Sequence, residues 1–345
     1  RFRDKMIERQ KSNQRIKEEK MKKRFSVNLH FIAILCLAVA INLTVLTPGF
    51  ADTKLRVMSS GDLKILDPIF TTNSVTISHG YLIYDTLFAM NSKWEPKPQM
   101  VDTYTISPDG LKYTFTLRKG MKWHDGTPVT AKDAVASLNR WCRKGVDARA
   151  MKERLASIVP KDEITFELNF KEKFGPVLMT LANPVIPGFI MREKDALTSH
   201  TEQIKETIGS GPFVFAKDEW IPGSKIVYKK FSGYVPRNEP ASGYAGGKVA
   251  KVDRVEVLVI PDSNTAAQAL VAGEIDIIEK VPYDLQSMLK KAGGVELQIT
   301  NQLGFLGHLR FNTLHPPFNN AKARQALLMA VDQNEFMTAA VGDYP

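Results

Sequence analysis

From Asp52 onward the sequence predicts an α/β fold, on three observations. The segment DGLKYTFTLRKG puts Leu111, Tyr113, Phe115 and Leu117 on one side of a strand and Lys112, Thr114, Thr116 and Arg118 on the other. EITFELNF repeats that alternation with Ile164, Phe166, Leu168 and Phe170. Between the two, residues 131–143 carry Ala134, Val135, Leu138, Trp141 and Cys142 at helical spacing, so the region reads as an α/β unit with its own core.

A second series follows along the chain. IGSGPFVF predicts a strand entered through Gly209 and Gly211, and SKIVYKKF and RVEVLVIPD predict two more. A helix at about 263–271 and the short strand EIDIIE come next. The Gly/Pro/Ser clusters at 209–212 and 240–247 are expected to be ordered loops, because a strand follows each within a few residues. No internal repeat is present.

The 345 residues, 43% hydrophobic and 24% charged, suffice for two or three packed units. The net charge of +10 is unevenly spread: residues 1–24 hold 11 Lys/Arg and 4 Asp/Glu, or +7, and residues 25–51 hold no charged side chain. Only +3 is left from Asp52 onward, too weak a field to predict a nucleic-acid partner.

Lys22, Lys23 and Arg24 lead into an apolar run from Phe31 to Ile41, then Pro48 and Gly49-Phe50-Ala51. Eleven apolar residues are short for a membrane span, which needs about 20. They suit a secretory signal over 21–51 with cleavage after Ala51, and residues 1–20 read as an upstream disordered extension. Cys36 follows Leu35 and lacks the small residue that lipoprotein processing requires. Cys142 is then the one cysteine of the mature chain, expected to be a buried apolar residue without a disulfide.

Two stretches look like chemistry. In WHDGTPVTAKDAVASLNR, His124 and Asp125 stand side by side. In an extended strand they point to opposite faces, Asp125-Gly126 is a turn pair, and Thr130 with Asp133 makes a helix cap, so only His124 lacks a structural task. GSGPFVF lacks the Lys-Ser/Thr of a phosphate loop, has Val where a dinucleotide fingerprint needs a third small residue, and loses an amide at Pro212. His79, His200, His308 and His315 stand at no metal-ligand spacing, and no G-x-S-x-G, H-E-x-x-H or S-D-N pattern occurs. No catalytic residue, metal or cofactor is predicted, and the leading class is a binder. The competing classes are a periplasmic enzyme using His124 and Asp125 and a chaperone-like protein with exposed apolar surface.

Six stretches in order resemble the family 5 extracellular solute-binding proteins of ABC importers, the dipeptide, oligopeptide, glutathione and nickel-chelate binders. They are LDPIFTTNS (66–74), YLIYDTLF (81–88), TYTISPDGLKYTFTLRKGMKWHDGTPVTAKDAVASLNR (103–140), IGSGPFVF (208–215), ALVAGEIDII (269–278) and LRFNTLHPPFNNAKARQALLMAVD (309–332). The resemblance implies a two-lobed α/β fold of the periplasmic-binding-protein type II, closing over its ligand like a hinged clamp. Residues 52–97 and 209–305 would build lobe I, 98–208 an extra subdomain on it, and 306–345 the hinge and the start of a lobe II that is largely missing. A strand near Phe305 to Asn312 would be a hinge crossing.

The family's FTTNS-like loop pairs through exposed backbone with an extended ligand, which makes Thr72, Asn73 and Ser74 the expected contacts. Phe305 is expected as an apolar wall, and Arg149, read as lying in the loop after the 131–143 helix, as a cation for an anionic group. Oligopeptide-type members can carry an acidic residue where Thr72 or Asn73 stands, so a local countercharge for a peptide amine is lacking here. The implied function is the periplasmic substrate-binding component of an ABC transporter. It would act as a monomer that passes a peptide or small organic solute to the permease in the inner membrane; a metal chelate or glutathione is the alternative cargo.

Overall fold

The computed structural model describes Met21, residues 52–300, Gly304 and residues 307–342. The expected extension and signal, apart from Met21, lie outside the described residues, as does Phe305. Among the described residues no helix is long and apolar enough to cross a membrane.

The larger sheet has the strand order β10 (Phe213–Phe215), β11 (Lys225–Lys230), β12 (Arg254–Leu258), β1 (Lys54–Met58), β13 (Ile277–Ile278). β12, β1 and β13 run parallel, and β10 and β11 pair antiparallel with their neighbours. A parallel pair needs a crossover, and between β1 and β12 it holds most of the remaining α/β material.

That material includes a four-stranded antiparallel sheet, in the order β5 (Val101–Ile106), β6 (Lys112–Leu117), β8 (Thr165–Phe170), β7 (Leu155–Pro160). The period-two reading holds: Tyr113, Phe115 and Leu117 of β6 and Phe166, Leu168 and Phe170 of β8 are buried. Phe115 lies opposite Phe166 in the ladder, with ring centroids 5.3 Å apart. Each such ring withdrawn from water stabilises the fold by about 1.5–3 kcal/mol.

Helix α1 (Ser74–Ile83) packs on β10, and α2 (Ala131–Trp141) packs on β7 and β8. In α2, Ala131, Ala134, Leu138 and Trp141 are buried, and Thr130 and Asp133 form the expected capping box. The helix ends at Trp141, with Cys142 as its cap and buried. Two short pairs, β2 (Asp85–Thr86) with β9 (Phe189–Ile190) and β3 (Phe88–Met90) with β4 (Pro96–Pro98), complete the strands.

The remaining helices are α3 (Val146–Arg154), α4 (Val177–Leu181), α5 (Glu193–Ala196), α6 (Ser263–Val271), α7 (Tyr283–Lys291), α8 (Ala321–Ala330) and α9 (Gln333–Val341). α6 matches its expected span, while EIDIIE contracts to the two residues of β13. Residues 307–312 form no strand where a hinge strand was expected: no neighbouring ladder reaches them, and all but Phe311 are exposed. α8 and α9 bury no side chain.

Candidate functional site

Loop 59–73 leaves the carboxyl end of β1 between two parallel neighbours and delivers the chain to the start of α1. In open α/β sheets the crevice outside the carboxyl ends of the strands is where ligands bind. The loop is pinned along its length. Ser59 N–H donates to the Leu258 carbonyl at 2.9 Å, and Ser60 N–H to Glu279 Oε2 at 3.0 Å. Gly223 N–H donates to Asp62 Oδ1 at 3.0 Å, and Thr76 Oγ1 to the Ile65 carbonyl at 2.8 Å.

At its end the pinning stops. Asn73 caps α1, its Oδ1 accepting from Val75 N–H at 3.0 Å and Thr76 N–H at 3.4 Å. Asn73 N–H donates to Thr71 Oγ1 at 3.2 Å. The backbone N–H and C=O of Thr71 and Thr72 make no hydrogen bond among the described residues, and Thr72, Asn73 and Ser74 are exposed. A short stretch beside a pinned loop thus leaves backbone donors and acceptors open, the kind of group that strand addition uses.

α1 is held from behind by His79. Its Nδ1 lies 2.8 Å from the Tyr228 hydroxyl on β11, and Phe215 meets the imidazole edge-on at 5.1 Å. Complete burial pushes this imidazole down to about 3, so it stays neutral.

His124 and Asp125 do not form a dyad. His124 Nδ1 accepts from Gly209 N–H at 3.2 Å, which puts the ring proton on Nε2, and Nε2–H donates to the Gly211 carbonyl at 3.1 Å. Burial lowers its pKa to about 4, against the opposing effects of the Gly211 carbonyl and Asp125. Both ring nitrogens are therefore spent on the 209–211 backbone, and no lone pair is left for a general base. His124, expected to lack a structural task, has one after all.

Asp125 faces other partners: Oδ1 accepts from Thr127 N–H and Oγ1, and Oδ2 from Arg192 Nη1 at 2.8 Å. Burial acts to raise its pKa, but Thr127 and Arg192 outweigh burial and hold it at about 2. GSGPFVF is likewise a docking element. A Cβ on Gly209 would lie 1.6 Å from the Ile83 carbonyl oxygen, and one on Gly211 2.7 Å from the Ile83 carbonyl carbon, so glycine is required where this loop crosses the end of α1.

Arg149 lies in helix α3 instead of a loop, its amide bonded to the Gly145 carbonyl at 2.9 Å. α3 starts from Gly145 without a side-chain cap, which removes the usual sequence sign of a helix start. Arg149 is exposed, and its side chain has no partner among the described residues. Sequence reasoning missed the ion pair of Asp67 and Arg140, with Arg140 Nη2 2.6 Å from Asp67 Oδ2. The available signal was Arg140 standing three residues after Ser137 on a helix flank that is wholly buried. Among the described residues no group of three or more His, Cys, Asp or Glu side chains could hold a metal ion.

The family model "Bacterial extracellular solute-binding proteins, family 5 Middle" matches residues 95–345. A probable peptide ABC transporter periplasmic-binding protein, y4tO of Sinorhizobium fredii, is 43% identical over 297 residues, covering 85% of this chain and 55% of that protein. The glutathione-binding protein GsiB of Escherichia coli is 26% identical over 299 residues, covering 86% of this chain and 55% of its own length. The chain therefore spans about half the length of the curated relatives it matches. A dipeptide binding protein from Pseudoalteromonas, solved with Met-Leu, shares the fold at a TM-score of 0.68 and 20% identity, over 83% of this chain and 58% of that one.

Proposed function

Because the chain belongs to the bacterial extracellular solute-binding proteins of family 5, a family of substrate-binding proteins, we propose that it captures a peptide in the periplasm and hands it to the permease of an ABC importer. The observation that carries the cargo class is the free backbone of Thr71 and Thr72 in the loop that leaves the carboxyl end of β1. Strand addition selects ligands with a peptide backbone of their own, and leaves side-chain choice to the pockets around them. Glutathione, the cargo named for GsiB, also carries peptide units and falls within this class.

Thr72, Asn73 and Ser74 are the proposed contacts, with Phe305 as an apolar wall and Arg149 as a cation toward an anionic group. We assign residues 52–97 and 209–305 to one lobe and 98–208 to a subdomain. In support, β1 and β10 to β13 come only from the first set, and β5 to β8 only from the second. Residues 306–345 are proposed to open the second lobe, and export to follow cleavage after Ala51.

Isothermal titration with Met-Leu, glutathione and a nickel–histidine chelate tests the reading. Saturable binding of Met-Leu or glutathione is expected. Binding of the chelate alone, or hydrolysis of Met-Leu, would overturn it.

A further inference from the structure

We propose that Asp67 and Arg140 form a positioning pair that sets the conformation of the ligand loop, so that helix α2 governs recognition through one buried ion pair. The proposal rests on the reading of Thr72 to Ser74 as ligand contacts.

The pair is sealed from water, with 2% of the Arg140 side chain and none of the Asp67 side chain exposed. Asp67 distributes its carboxylate over the loop. Oδ1 accepts from Ile69 N–H at 3.0 Å and Phe70 N–H at 3.2 Å, and Oδ2 from Ile204 N–H at 3.1 Å as well as from Arg140. The Phe70 amide also meets the Asp67 carbonyl at 3.1 Å, and buried Pro68 fixes the turn between them. The residue just before Thr71 is therefore anchored through the Asp67 side chain.

Arg140 supplies the other half. Nη1 donates to the carbonyls of Thr198 and Ser199, the latter at 2.9 Å, and Nη2 to the Glu202 carbonyl at 2.8 Å. One guanidinium thus gathers the end of α2, segment 198–202 and the ligand loop at a single point. A second tie comes from the same end of α2, where Lys144 Nζ stands 4.3 Å from the centre of the Phe70 ring.

A buried ion pair adds little net stability over an apolar pair of equal volume, because desolvation offsets the attraction. What it supplies is direction. Strand addition needs the Thr72 N–H and C=O held where an incoming chain meets them, and a loop already ordered loses less entropy on binding.

The test uses Arg140→Lys, which keeps the charge but cannot fork to four acceptors, and Asp67→Asn, which keeps the size. Hydrogen exchange of the Ile69 and Phe70 amides is compared with that of residues 113–117 in the core sheet, and Met-Leu affinity is measured well below the melting temperature. Arg140→Lys is decisive, because Arg140 bonds neither of those amides. We expect exchange at Ile69 and Phe70 to rise tenfold or more with residues 113–117 unchanged, and Met-Leu binding to weaken tenfold or more. Exchange that rises equally in both places, or that stays at the parent level in the loop, would overturn the proposal. Loop exchange decides it whether or not Met-Leu is the cargo. Thr72→Pro separates the two ideas. If it leaves peptide affinity unchanged, the ligand-loop reading fails; if it abolishes binding while Arg140→Lys leaves loop exchange untouched, the positioning pair alone fails.

Discussion

The turns at 123–127 and 70–74 differ in a way that their residue types alone do not suggest. WHDGT carries the residue types of a catalytic pair, yet both ring nitrogens of His124 and both oxygens of Asp125 already have partners. FTTNS holds no titratable group, yet it leaves the backbone of Thr71 and Thr72 free on a pinned support. A surface prepared for a partner is marked by polar groups left open on a rigid frame, and reactive side chains whose hydrogen bonds are closed mark a joint.

The comparison breaks most visibly at Gly209. Its Cβ position, 1.6 Å from the Ile83 oxygen, means that Gly209→Ala must force apart the end of α1 and the loop that receives His124. The cost is about 3 kcal/mol or more, a fall in melting temperature of roughly 6 °C or more. A thermal melt matching the parent would show that 209–211 is not a joint.

His124→Ala should cost about 1–2 kcal/mol at neutral pH, because it strands the Gly209 N–H and the Gly211 carbonyl, and should leave peptide affinity unchanged. The same site carries a pH signature. Burial puts the folded His124 at about 4, below its ordinary value of 6.5, so the unfolded chain takes up its proton first as pH falls. Stability from neutral His124 is complete above about 6.5 and declines as pH falls from there to about 4. His79, held at about 3, declines in the same direction and further. Urea midpoints at pH 7.5 and 4.5 should therefore converge in His124→Gln relative to the parent; an unchanged gap would remove His124 from the account.

Much of the fold was legible because burial has a local period. Alternation at 111–117 and 164–170 reports which face is hidden, and the buried Phe115 and Phe166 bear that out. Partners are not local. The parallel pairing of Lys54–Met58 with Arg254–Leu258 spans about 200 residues, and Asp67 and Arg140 stand 73 apart, so no window of sequence holds both halves. Arg149 was misplaced because α3 begins without a capping side chain. Thr72 to Ser74, the proposed contacts, were suggested only by family resemblance, because a free backbone leaves no trace in side-chain type.

The smallest change sharpens the comparison furthest. Asn73 closes the start of α1 by accepting from Val75 and Thr76. Asn73→Ala should cost about 1 kcal/mol, and Asn73→Asp, which keeps the acceptor and suits the positive end of the helix, only a few tenths. The aspartate adds a negative charge beside the open backbone of Thr72, where the proposed peptide's amine would otherwise lack a local countercharge. Titration with Met-Leu and its N-acetyl form should then favour the free amine in Asn73→Asp by several-fold more than in the parent. Equal affinities for the two forms in both proteins would mean that Asn73 is a cap and nothing else, and would move the amine's recognition away from this loop.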